Sequence, residues 1–358
     1  MIFILNNMLR RLLNRFSKKI GIDLGTSNTT IALQDKGIVI REPSVVAINN
    51  RLDQIIAVGE EASKMIGKNP KYITLAYPLV NGVISDFEVT EKMFKYFFDK
   101  IFQENFNFTA RPSVIISIPL DVTEVEKKAV EDAALGAGAG KVFLVEEVMA
   151  AAIGARLPIN DASGSMIINL GGGKTEIAVI SLHGVVISKS LKLAGEELNK
   201  NIIQYARDRF NLLIGEKNAE EIKIKIGSAF EQGESMSVEM RGRDLISGLP
   251  REIIITDYQV REAIASSIHN IIDAIKSVLE VTPPELVADI FERGIVLCGG
   301  GAQLRGMEKI ISKETEIPVR VADDPTTCTI RGVMVLLDDD NLLKDILLPS
   351  ANEEKVVR

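Results

Sequence analysis

Ser165-Met-Ile-Ile-Asn-Leu-Gly-Gly-Gly-Lys-Thr-Glu-Ile-Ala-Val-Ile180 is the stretch that decides the fold. Residues 166–168 form a short apolar run that predicts a buried strand, and residues 176–180 predict a second one. The glycines at 171–173 carry no side chain, so backbone N–H groups of the turn can approach an anion closely. The pattern favours a strand–turn–strand phosphate grip, with a glycine-rich β-hairpin that binds no ligand as the alternative.

The same pattern occurs once more near the start of the chain. The segment is Ile20-Gly-Ile-Asp-Leu-Gly-Thr-Ser-Asn-Thr-Thr-Ile-Ala-Leu33, in which Asp23 takes the place that Asn169 has in the first stretch. Asp23 could orient a metal-bound water, and Thr26, Ser27 and Asn28 offer donors to phosphate oxygens. A polar turn that merely caps a hairpin is the alternative for either copy. Two copies in one chain predict two similar halves that close on one ligand.

A third glycine turn and a pair of acids are further candidates. An apolar strand at 294–298 runs into Gly299, Gly300 and Gly301 ahead of a predicted helix, so N–H groups and a helix dipole would face a ligand there. Glu146 and Glu147 stand where a strand meets a small-residue helix, and beside a phosphate grip they could polarise an attacking water. The preference for acids at helix N-termini explains one of them equally well.

Length, charge and composition exclude several classes of protein. A chain of 358 residues is too long for one ordinary core, which predicts two domains. The formal net charge of -7 argues against non-specific binding of nucleic acid, and we expect no such partner. The chain has 2 Cys and 2 His, which is typical of a reducing cytosol and argues against a disulfide framework, a zinc site or a Ser-His-Asp triad.

The first segment, Met1 to Lys19, differs from the rest. On a helix its apolar side chains gather on one side and its cations on the other, and it contains no acid. The apolar run is too interrupted to span a bilayer, and its charges follow the apolar part instead of preceding it as in a secretory signal. The pattern favours a helix in the interface of an anionic membrane, with a helix packed on the protein itself as the alternative. A polar loop with Phe106 and Phe108 is a second candidate membrane contact.

The three glycine turns, each after an apolar strand, resemble the phosphate-1, phosphate-2 and adenosine motifs of the actin and sugar-kinase ATPase superfamily. Within it, the sequence resembles the MreB family of bacterial actin homologues from about Ile20 to Leu343. The motifs that carry this resemblance are Gly21-Ile-Asp-Leu-Gly-Thr-Ser-Asn-Thr29, Asn81-Gly-Val-Ile-Ser-Asp-Phe87, Val145-Glu-Glu-Val-Met-Ala-Ala-Ala-Ile-Gly154 and Leu297-Cys-Gly-Gly-Gly-Ala-Gln-Leu-Arg-Gly306.

The resemblance implies an α/β protein with the actin-like two-lobed fold, in which duplicated ribonuclease-H-like domains carry two smaller inserted subdomains. It places the first lobe at 20–153, with a small subdomain at about 49–80. The second lobe is expected at 154–324, with a small subdomain at about 194–256. A closing helix at 325–343 would return to the first lobe, and a loosely held tail would occupy 344–358.

The resemblance also implies a function. We expect ATP and Mg²⁺ in the cleft, and self-association into paired protofilaments on an anionic membrane, through Met1 to Lys19 and Phe106/Phe108. The filaments would serve cell shape or motility, with paralogous filament proteins as further partners. The expected location is cytoplasmic, peripheral at the inner face of the cell membrane.

Site residues carry over from the family only where the motifs match. Glu147 matches the family's water-activating glutamate, and Asp23 the residue that holds the metal. The remaining nucleotide-binding candidates are Gly25, Thr26, Ser27 and Asn28 in the first phosphate loop; Asn169, Gly171, Gly172, Gly173 and Lys174 in the second; Gly195 and Glu196 on the nucleoside side; Glu220 and Lys223 at the ribose and base; and Gly299, Gly300, Gly301 and Gln303 in the adenosine turn.

Three positions depart from the family pattern. The second phosphate loop usually has the sequence Asp-Ile-Gly-Gly-Gly-Thr-Thr, whereas here Asn169 replaces the aspartate and Lys174 the first threonine. Asn169 lacks the charge that would hold the metal's water shell, and Lys174 would add a cation where the terminal phosphate lies. Val148 replaces a proline and could change the aim of Glu147. We therefore expect ATP binding with slow or altered hydrolysis.

Other functions remain open at this point. A sugar-type kinase of the same superfamily would need a base for the substrate hydroxyl, which Asn169 disfavours. A heat-shock-type chaperone would need a peptide-binding domain for which the expected fold leaves no room. A filament partner that binds ATP and has largely lost catalysis is the milder version of the cytoskeletal hypothesis.

Overall fold

The structure is a computed structural model that describes residues 19–104, 111–231, 233 and 235–349. The predicted interfacial helix at 1–18, the loop with Phe106 and Phe108, and the part of the predicted tail from residue 350 onward lie outside the described residues. In the part of the chain that is described, no helix combines the length and the apolar character needed to cross a bilayer.

The elements are numbered in chain order. The strands are β1 (Lys19–Leu24), β2 (Asn28–Leu33), β3 (Gly37–Pro43), β4 (Val46–Asn49), β5 (Gln54–Val58), β6 (Ile73–Ala76), β7 (Leu79–Val80), β8 (Val83–Ile84), β9 (Ser113–Ile118), β10 (Lys141–Glu146), β11 (Ser165–Leu170), β12 (Thr175–Ser181), β13 (Gly184–Leu191), β14 (Leu212–Leu213), β15 (Ser237–Asp244), β16 (Pro250–Thr256), β17 (Ile295–Cys298) and β18 (Val319–Val321). The helices are α1 (Glu60–Ser63), α2 (Phe87–Glu104), α3 (Glu124–Gly136), α4 (Glu147–Gly154), α5 (Gly195–Phe210), α6 (Glu216–Ile226), α7 (Asp257–Val281), α8 (Pro284–Arg293), α9 (Met307–Thr315), α10 (Cys328–Asp338) and α11 (Asp340–Ile346). Short 3-10 helices occupy Gly300–Gln303 and Pro325–Thr327.

The chain divides into two compact units. Unit 1 contains the described residues of Met1–Gly154 and Thr329–Arg358, and unit 2 is Ala155–Cys328. The central sheet of unit 1 has the strand order β10-β9-β1-β2-β3. β1 pairs antiparallel with β2 and parallel with β9. Ile20 and Ile22 of β1 are fully buried, as expected for a central strand covered on both faces.

The central sheet of unit 2 repeats that topology, with the order β13-β12-β11-β17-β18. In each unit a central strand, β1 or β11, forms an antiparallel hairpin on one side and a parallel pair on the other. The register of the outer antiparallel pair shifts at a similar place in both, between Ile31 and Ala32 and between Val179 and Ile180. The predicted duplication of the hairpin is therefore confirmed at the level of the whole sheet.

Each unit also contains a smaller sheet. In unit 1 the strands β5-β4-β6 form a three-stranded sheet. Its small core consists of Val45, Ala47 and Ala62. In unit 2 the strands β14-β15-β16 form a second three-stranded sheet, and α6 packs on it. The second sheet falls within the predicted range of about 194–256, whereas the first begins with β4 at Val46, ahead of the predicted range of about 49–80.

The C-terminal segment is held more firmly than expected. The predicted closing helix is a 3-10 turn followed by α10, which packs closely on β1: a Cβ at Gly21 would lie 2.6 Å from Val333 Cγ1. The expectation of a loose tail from residue 344 is wrong for its first residues. α11 continues to Ile346, Leu347 forms a β-bridge with Val145, and the Leu348 N–H donates to the Leu144 carbonyl at 3.0 Å. Open backbone groups at the edge of β10 provide this attachment, which composition does not reveal.

Candidate functional site

The two glycine hairpins close with the same hydrogen bond. The Gly25 N–H donates to the Asn28 carbonyl at 3.1 Å, and the Gly171 N–H donates to the Lys174 carbonyl at 2.9 Å. A Cβ would lie 2.6 Å from that acceptor oxygen at Gly25 and 2.9 Å at Gly171. Both glycines are therefore required by the turn itself, because a side chain would displace the carbonyl that closes it.

Two residues outside the predicted site hold the first loop in place. The Ser44 hydroxyl donates to the Gly25 carbonyl at 2.7 Å, and its backbone N–H donates to the Ser27 carbonyl at 3.0 Å. The Gly82 N–H donates to the Thr26 hydroxyl at 2.7 Å, so this oxygen is an acceptor within the protein while its proton remains available to a ligand. The Asn-Gly dipeptide at 81–82 could have identified the second contact. Both residues have positive φ, as in the tight turn between β7 and β8.

Glu147 lies close enough to Asp23 for its charge to affect the pKa of Asp23. Asp23 ends β1 beside Ser117 of β9, whose hydroxyl lies 3.4 Å from Asp23 Oδ1. Burial raises the pKa of Asp23 to about 8, and the Glu147 charge adds to that rise, while the Ser117 hydrogen bond and Arg41 oppose it. A carboxylate that is both desolvated and near a second one favours a bound cation, which would relieve both effects.

The described residues contain no cluster of three or more His, Cys, Asp or Glu side chains that could enclose a metal ion. Mg²⁺, however, keeps several of its waters and is commonly bound through one or two carboxylates together with substrate phosphates. Asp23 with Glu147 nearby fits that kind of site. A dedicated all-protein cage for the metal is not formed by the described part of the chain.

The two acids at the β10–α4 junction have different surroundings. Glu146 ends the strand; burial raises its pKa and the charge of Lys127 opposes that rise. Glu147 begins α4 and interacts with Asp23. Either acid could have been chosen from the sequence pattern alone, and the structure brings Glu147 to the first phosphate loop. The small residues of α4 are explained by α10, because a Cβ at Gly332 would lie 1.7 Å from the Ala150 carbonyl oxygen.

The N-terminus of α5 is bonded to the second phosphate loop. The Gly195 N–H donates to the Gly171 carbonyl at 3.3 Å, and the Glu196 N–H donates to the Gly172 carbonyl at 2.9 Å. The first N–H groups of the helix are therefore used as hydrogen-bond donors to the carbonyls of the loop. The arrangement brings Gly195 and Glu196 together with the glycines of the loop, and their role on the nucleoside side of the site stays a prediction.

Lys174 has a partner on the neighbouring strand: its side chain forms an ion pair with Glu176 on β12. Both side chains are buried, at 7% and 0% exposure. A lysine two residues before a glutamate lies on the same face of an extended chain, so the pairing could have been predicted from strand periodicity. The expectation that its ammonium lies beside a terminal phosphate stays a prediction.

The third glycine turn lies directly against the start of the second loop. Gly299 has φ +81°, and a Cβ there would lie 2.3 Å from the Leu170 carbonyl oxygen. The buried Asn169 side chain takes part in the same contact, since its Oδ1 accepts from the Cys298 thiol at 3.6 Å. A Cβ at Gly301 would lie 2.9 Å from Leu170 Cβ. Asn169 therefore has a structural partner in Cys298, at the end of β17.

The remaining two candidates of this turn face outward. A Cβ at Gly300 would meet no atom of the described residues within 4 Å. Gln303, at the end of the 3-10 helix, is exposed. Both positions therefore leave room for a ligand beside the turn.

Glu220 and Lys223 of α6 are joined to the N-terminus of α5. Lys223 Nζ donates to Glu220 Oε2 at 2.6 Å and to the Gly195 carbonyl at 2.9 Å. The pair is therefore more than a solvated ion pair on a helix surface, because Lys223 also reaches α5 and is only 12% exposed. Arg305, which was not among the predicted site residues, supports α6 because its guanidinium donates to the carbonyls of Ile226 and Gly227 at 2.6 and 3.1 Å.

Comparison with known proteins agrees with this architecture. The model of the MreB/Mbl protein family matches residues 17–345. The cell shape-determining protein MreB of Pasteurella multocida is 47% identical over 331 residues, which is 91% of this chain and 94% of that protein.

Solved structures show the same fold. MreB5 of Spiroplasma citri bound to ADP has a TM-score of 0.87 and 36% identity, covering 92% of this chain and 98% of that one. Its structure bound to AMPPNP has a TM-score of 0.86 and 34% identity, covering 95% and 99%. A double helical filament of MamK has a TM-score of 0.77 at 23% identity, covering 90% and 99%, and shows the fold alone. The chain has the actin-like fold, and it belongs to the MreB/Mbl family of cell shape-determining cytoskeletal proteins.

Proposed function

We propose that this chain binds ATP with Mg²⁺ and polymerises into filaments that act in cell shape or motility. The observation that carries the proposal is the pair of identically closed glycine turns at Gly25–Asn28 and Gly171–Lys174, each at the end of an equivalent central strand. The nucleotide-bound structures of Spiroplasma citri MreB5, a similar protein, support it.

Each loop residue has a defined task in this proposal. Backbone N–H groups of both glycine turns, with the hydroxyls of Thr26 and Ser27, donate to phosphate oxygens. Glu147 accepts a proton from the attacking water, and Asp23 orients the water shell of the metal. When bound, Mg²⁺ supplies positive charge to the phosphates. Glu220 and Lys223 with the turn at 299–301 contact the nucleoside.

Hydrolysis is proposed to be slow or altered. Because lysine and asparagine occupy positions 174 and 169, the second loop offers neither a hydroxyl at 174 nor a carboxylate at 169. The Lys174 charge is neutralised by Glu176, and the Asn169 side chain is hydrogen-bonded to Cys298. A water that lacks these ordering groups is positioned less well for attack. Nucleotide binding depends mainly on backbone groups and survives these changes.

The filaments are proposed to form on the inner face of the cell membrane. The basic, amphipathic segment at 1–19 and the aromatic loop at Phe106 and Phe108 are the proposed contacts with anionic lipid. Paired protofilaments and co-assembly with paralogues belong to the same proposal. A sugar-type kinase is not favoured, since the chain belongs to the MreB/Mbl family and position 169 holds an amide where a hydroxyl-activating base would be needed.

Nucleotide binding can be tested at Gly300, where the fold itself leaves space for a methyl group. We expect Gly300→Ala to fold normally and to weaken binding of a fluorescent ATP analogue at least about tenfold, because the methyl group would enter the space of the nucleoside. Titration by fluorescence anisotropy in the presence of Mg²⁺ measures the dissociation constant.

The matched control is Gly184→Ala on the β12–β13 turn of the same unit, where a Cβ has only an ordinary contact, 3.7 Å from the Ser181 carbonyl oxygen. Its affinity should equal that of the unmodified chain. Failure of the unmodified chain to bind ATP at millimolar concentration would refute the proposed function. Equal affinity of both variants would remove the glycine turn at 299–301 from the site.

A further inference from the structure

In unit 2 the hydrogen bonds between α5 and α6 converge on one carboxylate oxygen. Glu220 Oε2 accepts from Asn199 Nδ2 at 2.6 Å and from Lys223 Nζ at 2.6 Å. Lys223 Nζ continues to the Gly195 carbonyl at 2.9 Å, and the Gly195 N–H reaches the Gly171 carbonyl at 3.3 Å. A continuous series of hydrogen bonds therefore connects Asn199 to the second phosphate loop.

The two donors to Glu220 fix its carboxylate in one orientation. Asn199 is only 4% exposed and Lys223 12%, whereas the Glu220 side chain is 42% exposed. Among the described residues, every hydrogen bond to Glu220 falls on Oε2, so Oε1 is the oxygen that can accept from a ligand. A glutamate side chain loses considerable rotamer entropy when it is held, and two fixed donors on one oxygen supply that restraint before a ligand arrives.

Asn199 occupies this position at a cost. Its Oδ1 is buried and, within the described residues, has no hydrogen-bond partner. A buried acceptor without a donor destabilises the folded state, and an apolar side chain of similar size would avoid that penalty. The fold alone therefore gives no reason for an amide at 199, whereas its donor to Glu220 does.

We infer that Asn199 is a positioning residue for the nucleoside: it orients Glu220 so that Oε1 accepts a hydrogen bond from a sugar hydroxyl of the bound nucleotide. This inference rests on the proposed function. Asn199 does not contact the nucleotide itself. It acts through Glu220, and Lys223 transmits the same geometry to the phosphate loop through Gly195. A site built to accept a hydroxyl rejects the analogue that lacks it, so the role of Asn199 is one of sugar specificity.

The test compares binding of ATP, 2′-deoxy-ATP and 3′-deoxy-ATP by the full chain and by Asn199→Leu. The full chain should bind ATP more tightly than at least one of the two deoxy analogues. In Asn199→Leu that discrimination should fall by about tenfold, the loss expected when a hydrogen bond to a charged acceptor is no longer oriented. Thermal stability should stay the same or rise, because the unpaired Oδ1 is removed together with the donor.

The matched control is Asn201→Leu on the same helix. Asn201 Oδ1 accepts from the Ser267 hydroxyl at 2.6 Å, away from Glu220. This variant should lose thermal stability and keep the discrimination between ATP and the deoxy analogues. If Asn199→Leu does not fold, Asn199→Ala takes its place and is expected to show the same loss of discrimination. Asn199→Leu and Glu220→Gln should each lower the discrimination between ATP and the deoxy analogues. In the double variant these two losses of discrimination should not add, because both changes act on one carboxylate.

The outcomes separate this inference from the proposed function. ATP binding by the full chain with no preference over either deoxy analogue overturns the inference and leaves the proposed function intact. Unchanged discrimination in the folded Asn199 variants does the same. Absence of ATP binding by the full chain overturns both.

Discussion

Lys174 distinguishes the second glycine hairpin from the first, although the two hairpins close in the same way. In the duplicated hairpins it occupies the position of Asn28, since both residues supply the carbonyl that closes the turn. Asn28 is exposed, whereas Lys174 is buried against Glu176. The loop geometry is the same in both units, so the difference lies in the side chains alone. In the proposed function, the second loop therefore binds phosphate through backbone groups more than through side-chain charge.

Lys174→Thr should raise the rate of phosphate release by the full chain several-fold. The threonine hydroxyl can order a water near the loop, and removal of the lysine leaves the Gly171–Lys174 backbone hydrogen bond in place. A coupled assay of inorganic phosphate under filament-forming conditions measures the rate. Lys189→Thr on the neighbouring β13 is the control and should leave the rate unchanged, because this exposed lysine donates to the Ser277 hydroxyl, away from the loop. A rate equal to that of the unmodified chain would disprove the proposed effect of Lys174.

The residue scale also shows what sequence motifs do not report. Ser44 and Ser117 lie outside the quoted motifs, and Arg305 lies within the last of them without being a candidate, yet they support the first loop, Asp23 and α6. Their contacts depend on which strands and helices become neighbours. A serine or an arginine has no spacing signature of its own, so only the folded chain identifies these positions.

At the scale of elements, α4 links the catalytic candidate to the C-terminus of the chain. Glu147 is its first residue, and Gly332 of α10 lies against the Ala150 carbonyl further along it. A closely packed helix of small residues was predicted from the sequence, but its partner was not. Periodicity shows that a helix has a buried face and not which element covers it.

Gly332→Ala should destabilise the protein by about 1–3 kcal/mol, because the new methyl group would lie 1.7 Å from the Ala150 carbonyl oxygen and must push α10 away from α4. Phosphate release should fall with it, since α4 sets the position of Glu147. Urea denaturation and the phosphate assay measure the two effects. The Gly184→Ala variant should show neither effect. A Gly332→Ala protein with normal stability would contradict the close packing of the two helices.

Most elements could be predicted from local signals. Thr123 and Glu126 form a capping box at the start of α3, and apolar residues at helical spacing line the buried face of α7 (Asp257–Val281), so local signals account for both helices. The end of α11 and its bridge to β10 were missed, because polar residues near a terminus carry no pattern that distinguishes a docked segment from a loose one.

At the scale of the whole molecule, the N-terminal segment joins a fold that is already anchored without it. Lys19 Nζ, at the start of β1, donates to the Leu337 carbonyl at 2.8 Å and to Asp340 at 2.7 Å. These bonds cap the end of α10 and hold the first residue of the sheet. We therefore expect the units to fold when residues 1–18 are removed.

Removal of residues 1–18 should abolish sedimentation of the protein with anionic vesicles while ATP-dependent filaments still form in solution. The deleted segment carries the basic, apolar face proposed to enter the membrane interface, and none of the described site residues. Co-sedimentation and negative-stain electron microscopy measure the two properties. Vesicles of neutral lipid are the control and should bind the full chain weakly. Full binding of the shortened chain to anionic vesicles would place the membrane contact elsewhere.

By itself the sequence determined the duplicated hairpins, the fold class and the family, because alternating apolar strands and obligatory glycines are local requirements that are visible in one dimension. Only the tertiary structure decided the use of the charges. It paired Lys174 with Glu176, brought Glu147 rather than Glu146 to Asp23, and joined Asn199, Glu220 and Lys223 to Gly195. The reason is physical: a charge acquires its role from the groups that desolvate or neutralise it, and those groups come from distant parts of the chain.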